Sequence, residues 1–236
     1  MQNGSKLRGI LRRTIRRLPG RHVLAFALML LGGLVAALEG EIVYTDGEVL
    51  VSQGTNETEA FIGMKVGEGD SVETLEGSLA VIRLAEGTEI KMRESTVLSL
   101  DSLGSRVSVN LTRGGVFSRV YRQAVDRYDL RTQSAVAAVR GTEFFVAYGR
   151  TIDEKPDIWL CVNEGSVEVS ITETNEKVVV EEGLGINIVG GVKLTSPRFY
   201  PWTRELNWNT DPGAGEVKDR TDLDQAYSDL LDQDYD

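Results

Sequence analysis

The sequence has few of the side chains that most often carry chemistry. Its single histidine, His22, stands near the N-terminus, so the chain beyond it has no imidazole. Ser-His-Asp and Cys-His arrangements need that ring to take and return a proton, and a His-ligated zinc site needs it as a donor. Both are excluded there. One cysteine, Cys161, can form neither an intramolecular disulfide nor a thiolate cage. It lies in the apolar run Ile158–Val162, where a thiol acts as a small buried hydrophobe. An exported domain without disulfides relies on its core, and roughly 160 residues suffice to bury one. Asp232, Asp234 and Asp236 lack the glycine turn of an EF-hand loop. No catalytic residue, cofactor site or metal site is assigned.

Acidic residues are absent from the first 38 positions. Lys6, Arg8, Arg12, Arg13, Arg16, Arg17 and Arg21 form a basic run, and the sixteen residues Val23–Leu38 carry no charge. A positive region, a short apolar stretch and small residues at its end describe a secretory signal. Val35 and Ala37 suit a signal peptidase, which leaves Leu38 as the first mature residue. An uncleaved anchor is the other reading, since a membrane helix wants ~20 apolar residues and this stretch is slightly short. Either way the basic flank stays in the cytoplasm and the rest is exported to the periplasm or the outer face of a bacterial cytoplasmic membrane. Beyond the leader, 19 basic face 36 acidic residues, a net of −17. That charge repels phosphate backbones and argues against a nucleic-acid partner.

Proline is missing between Pro19 and Pro156, and glycine punctuates the interval instead. Short apolar runs at ~8–12-residue spacing predict an all-β fold of short antiparallel strands, a sandwich or β-solenoid-like. Glu89–Arg93, Val107–Leu111 and Val167–Ile171 alternate as strands with one wet face do. On that pattern Glu89, Glu94, Glu168 and Glu173 read as solvated acids. Ser78–Leu84 and Val178–Val180 are apolar on both faces and predict central strands. Arg150–Asp157 reads as a hairpin loop.

The chain divides into three segments: 1–38 a signal peptide or membrane-anchor helix, 39–194 the β domain, and 195–236 an aromatic segment with an acidic tail. In the last, Leu223, Ala226, Tyr227, Leu230 and Leu231 fall at helical spacing behind Thr221 or Asp222 as a cap, which predicts a short amphipathic helix. Phe199, Tyr200, Trp202 and Trp208 form either an exposed partner surface or a lid over an open sheet edge or solenoid end.

Four ordered blocks carry a family resemblance: Gly87–Met92 with Ser95–Leu100, then Leu111–Phe117, Leu130–Val146 and Val162–Val169. The third holds Thr132 and the run Arg140-Gly141-Thr142. Together these resemble FecR domains over about Glu41–Val192. The resemblance implies an extracytoplasmic β module; FecR itself restrains a sigma factor through a cytoplasmic segment while its outer domain receives a signal. Here 22 residues precede the apolar stretch, too few for that helical segment, so the anti-sigma role is not carried over. Read physically, Gly141 marks a tight turn or bulge, Thr142 bonds to the turn backbone, and Arg140 pairs with an acid.

The expectation is a non-catalytic envelope protein that binds or senses another envelope protein of unknown identity, touching the membrane through its N-terminal segment if that is uncleaved. Alternatives are an envelope scaffold, or a glycan-binding or glycan-cleaving protein using paired carboxylates. An N-terminal mass measurement separates the two leader readings: a chain starting at Leu38 is a freed periplasmic domain, and one starting at Met1 is anchored.

Overall fold

A computed structural model of the chain describes residues 39–123, 125–152, 155–223 and 225. The leader with Val35 and Ala37, and the tail helix beyond Gln225, lie outside the described residues. Among those described, no helix is long and apolar enough to cross a membrane.

Eighteen strands succeed one another: β1 (Gly40–Asp46), β2 (Val49–Gln53), β3 (Asn56–Glu59), β4 (Lys65–Val66), β5 (Ser71–Thr74), β6 (Leu79–Leu84), β7 (Glu89–Met92), β8 (Thr96–Ser102), β9 (Arg106–Arg113), β10 (Gly115–Val120), β11 (Arg127–Arg131), β12 (Ala135–Val139), β13 (Thr142–Ile152), β14 (Lys155–Glu164), β15 (Ser166–Ile171), β16 (Lys177–Glu181), β17 (Gly185–Val189) and β18 (Lys193–Leu194). They form two nine-stranded sheets. Sheet A runs β4-β1-β6-β7-β10-β13-β14-β17-β18, and sheet B runs β3-β2-β5-β8-β9-β11-β12-β15-β16. After the first few strands the order in each sheet follows the chain, which mostly lays a hairpin in one sheet and then one in the other. Pairing is antiparallel except between β9 and β11, where the single strand β10 crosses to sheet A in between and returns the chain in its former direction.

Between the sheets lies one apolar core, with Ile42, Ile82, Ile90, Val116 and Phe144 from sheet A against Val51, Leu98, Val109, Leu130 and Val167 from sheet B. Sheet B keeps a wet outer face: β9 and β15 alternate between buried and accessible residues. Sheet A does not. In β7 all four residues are buried, Glu89 at 5% and Lys91 at 0% exposure. The alternation of Glu89–Arg93 therefore does not mark a wet face, and Glu89 is not a solvated acid. The reason is a strap, residues 198–222, that crosses the outer face of sheet A from β17 to β1.

The strap starts with a bridge between Gly185 and Arg198. Trp202, within a 3₁₀ turn at Pro201–Arg204, and Tyr200 and Leu206 on either side of it then cover Phe117, Phe145, Ala147, Trp159 and Cys161. Trp159 and Trp202 stack at 5.4 Å between centroids, and Trp208 meets Phe117 edge-on at 5.4 Å. Farther along, Val217 packs on Leu79 and Val81. The aromatic segment is thus a lid over a sheet face rather than over an edge. Tyr200 and Trp202 are buried and Trp208 partly so, which corrects the reading of these rings as a partner surface; Phe199 alone is exposed, at 44%.

Polar bonds fix the strap at β7. The Lys91 ammonium donates to the carbonyls of Asn207 and Asn209, the second at 3.0 Å, and lies 3.9 Å over the Phe117 ring. Arg93 pairs with Asp219 at 2.9 Å and donates to the Thr221 carbonyl, and Thr210 donates to Glu89 at 2.7 Å. Asp222 caps the following turn by accepting from the Gln225 N–H at 3.0 Å.

Two further expectations change. Val178–Val180 is not central: β16 is the last strand of sheet B, and Val179 is 48% exposed. Arg150–Asp157 is the hairpin expected, but with a shorter loop, because β13 and β14 stay paired out to Thr151↔Pro156 and Ile152↔Lys155. Cys161 is buried, and burial pushes its thiol far above the ordinary range.

Burial, partly opposed by Asp219, pushes Lys91 down from 10.5 to about 8. The unfolded chain then holds this proton more tightly than the folded one, so Lys91 makes stability rise with pH from about 8 to 10.5. Lys91→Met strands two strap carbonyls and should cost about 2 kcal/mol near neutrality. Urea denaturation should show that deficit growing as pH rises through the window.

Candidate functional site

One row of residues across the outer face of sheet A alternates in charge. Strand registers align Lys65, Glu41, Arg83, Glu89, Arg119 and Glu143 side by side. Three ion pairs close within it: Lys65–Glu41 at 2.7 Å, Arg83–Glu89 at 3.0 Å and Arg119–Glu143 at 2.7 Å. Opposite charges facing each other across strands stabilise a sheet, whereas like charges would open it. The next row, one side-chain repeat along the strands, is mostly apolar and lies under the strap: Tyr44, Val81, Lys91, Phe117, Phe145 and Cys161. The charged row thus marks where the cover stops.

At its β13 end the row opens into a cavity of about 470 Å³ lined by Arg119, Val120, Tyr121, Arg122, Gly141, Thr142, Glu143 and Glu164. Gly141, at φ +78°, turns the chain from β12 into β13. A Cβ there would lie 2.6 Å from the Arg122 Cβ and 2.9 Å from its Cα, so only glycine lets the β10–β11 loop approach. Thr142 donates to the Ser166 carbonyl at 2.9 Å, tying this turn to the β14–β15 hairpin instead of to its own backbone. Arg140 is exposed and makes no ion pair with a described residue, contrary to expectation. Thr132 sits at the other end of β12, where its hydroxyl accepts from the Ala135 N–H at 3.0 Å and closes a hairpin. Of the four motif residues, the structure brings together Arg140, Gly141 and Thr142 and leaves Thr132 apart.

Both Glu143 oxygens are engaged, one by Arg119 and the other by the Asn163 amide. Arg119 feels burial first, which opposes its charge, yet Glu143 and Tyr121 hold its pKa above the ordinary value. A carboxylate so occupied is placed to fix an arginine, not to move a proton. What faces solvent is Tyr121, 48% exposed, with Arg122 beside it and Arg140 on the adjoining turn. Sequence reasoning passed over Arg119, Tyr121, Arg122 and Glu143. The available signal was a single charge in each of two strands otherwise buried on both faces, Gly115–Val120 and Thr142–Ala147.

Register also gives the direction of this end. Gly40, where the described chain enters sheet A, pairs with Leu84; Arg83 pairs with Glu89, Glu89 with Arg119, and Val120 with Thr142. The Gly141 corner and the entry at Gly40 therefore lie on the same end of the sheet. Four strand spacings separate β1 from β13, about 19 Å.

Residues 70–168, from just before β5 to the middle of β15, match the family model described as FecR protein. This stretch is FecR-like. The matched stretch lies inside the Glu41–Val192 span of the resembling blocks and contains the charged row from Arg83 to Glu143 and the whole Gly141 corner. The strap and the strands at both sandwich edges lie outside it. Two crystal structures of a candidate anti-sigma factor from Parabacteroides distasonis, at 1.65 and 2.50 Å resolution, are similar at 20% identity with a TM-score of 0.46. The likeness covers 55% of this chain and 59% of that one. No curated protein matches the sequence.

Arg119→Ala leaves Glu143 buried with Asn163 alone, and should cost about 2–3 kcal/mol in chemical denaturation. Glu143→Gln keeps an acceptor for Arg119 and should cost less than half of that.

Proposed function

We propose that this protein is a non-catalytic component of the bacterial cell envelope, whose FecR domain senses or binds another envelope protein through the Gly141 corner. One observation carries this reading: Tyr121, exposed on an acidic domain, stands next to Arg122, with Arg140 on the adjoining turn, and neither arginine has an ion-pair partner among the described residues. Tyrosine and arginine are the side chains most enriched where protein interfaces concentrate their binding energy.

A regulatory role without catalysis agrees with the FecR match and with the lack of histidine beyond His22. Glu143, held by Arg119 and Asn163, disfavours the paired-carboxylate alternative at this site.

The test is capture of partners from solubilised membranes by the full chain. Tyr121→Ser with Arg122→Glu should reduce capture of the main partner at least tenfold, while Phe199→Ala on the strap leaves it unchanged. Circular dichroism and melting should be close to the parent in both. Equal capture by parent and corner variant would remove the corner from the reading.

A further inference from the structure

The two edges of sheet B differ in how they are guarded. At one end β3 is exposed throughout and carries Glu57 and Glu59, charges that deter another strand. At the other, β16 reads Lys-Val-Val-Val-Glu, with Lys177, Val179 and Glu181 on the outer face and Val180 in the core. An exposed valine at the centre of a five-residue edge strand is unusual, because bare apolar edges invite pairing.

Backbone polarity of this edge is set by its pairing with β15. The Ile171 N–H donates to the Glu176 carbonyl at 3.0 Å, and the register runs on from Ser170↔Lys177 to Ser166↔Glu181. Bonded and non-bonded pairs alternate in an antiparallel ladder. Val178 and Val180 therefore bond to β15, and the amides and carbonyls of Lys177 and Val179 point away from it, as does the Glu181 amide. The Glu181 carbonyl is taken by the Leu184 N–H at 3.1 Å.

We propose that β16 is a self-complementary docking edge, at which a second copy of this chain pairs antiparallel about a two-fold axis through Val179. The sequence of the strand favours this occupant. Reversed against itself, Lys177 faces the second copy's Glu181, Val179 faces Val179, and Glu181 faces Lys177, all on the outer face. The two Val179 residues then exchange a pair of main-chain bonds, and each Glu181 amide meets a Lys177 carbonyl, while the Lys177 amide faces the Glu181 carbonyl that the Leu184 N–H already engages. A two-fold, isologous contact of this kind closes on itself and does not propagate. Lys177 already holds Glu168 at 2.9 Å and is 60% exposed, so its ammonium can bridge to the incoming carboxylate. The result joins two copies of sheet B into one continuous sheet.

Two measurements on the full chain test this. Sedimentation velocity should show a reversible dimer. Lys177→Glu or Glu181→Lys alone should abolish it, and the two together should restore it, because the swap keeps both pairs across the contact opposite in sign. Second, Val179→Cys introduces a thiol where the only other cysteine is buried. Directly bonded antiparallel partners lie about 5.5 Å apart at Cα, within disulfide range, so mild oxidation should link two copies. A monomer at every concentration, a double swap that stays monomeric, or a Val179→Cys link to some other protein would each overturn the proposal.

Discussion

Lys91 holds an ammonium group on the outer face of sheet A with no accessible surface, and the arrangement of the molecule depends on how that charge is satisfied. A charge taken out of water destabilises unless it is hydrogen-bonded and paired. Here the partners come from more than a hundred residues later in the chain, the carbonyls of Asn207 and Asn209. Asn207 is itself fixed: its amide group donates to the Glu216 and Lys218 carbonyls, and its N–H donates to Asp219. Asp219 in turn pairs with Arg93, the neighbour of Lys91 on the same face. Specificity and bulk are divided between two kinds of contact. The aromatic cluster supplies the buried area, and the polar latch sets where along the sheet the strap sits.

The strap's cover also shapes the charged row. Glu89 and Glu143 are as buried as core residues, at 5% and 4% exposure, although each stands at the margin of the cover. Each is kept by an arginine on the next strand, Arg83 and Arg119, and by one further donor, Thr210 or Asn163. Alternation of sign along the row means that no acid lies directly across from another between β1 and β13. The corner at Gly141 inherits its rigidity from this row, since β10 and β13 are locked by Arg119–Glu143 just where the chain turns. A rigid support is what an exposed contact group such as Tyr121 needs, because ordering it on binding then costs little.

Sheet B was legible in the sequence wherever a strand buries one face, as β9 and β15 do, because period-two alternation is the direct record of that. Sheet A was legible as strands but not as surface. Glu89-Ile90-Lys91-Met92-Arg93 has the same alternation as Val167–Ile171, and nothing local distinguishes a charge facing water from one facing a distant carbonyl. Tertiary contact decides, and the contact of Lys91 spans 116 residues. Val178–Val180 misled for the opposite reason. Three β-branched residues mark a strand, but its position in the sheet depends on where the next strand pairs, and β17 crosses to sheet A. The corner was half legible. Gly141 announces a backbone that excludes a Cβ, but its close neighbour Arg122 belongs to a loop 19 positions earlier, and no spacing rule links them.

Closure of sheet A on both faces also limits where this protein can act. One face is the core and the other is under the strap, so neither is open to a partner without displacing Trp202 and its neighbours. The outer face of sheet B is wet and mixed in charge, with exposed pairs such as Lys177–Glu168 and Arg113–Glu73 that water and salt largely neutralise. What remains is the periphery of the sandwich: the strand ends at the Gly141 corner and the free edge at β16. These two features differ in kind. An edge offers main-chain bonds and reads only a strand, which suits a second copy of the same sequence. A corner of tyrosine and arginine offers side chains and reads a shape, which suits a different protein.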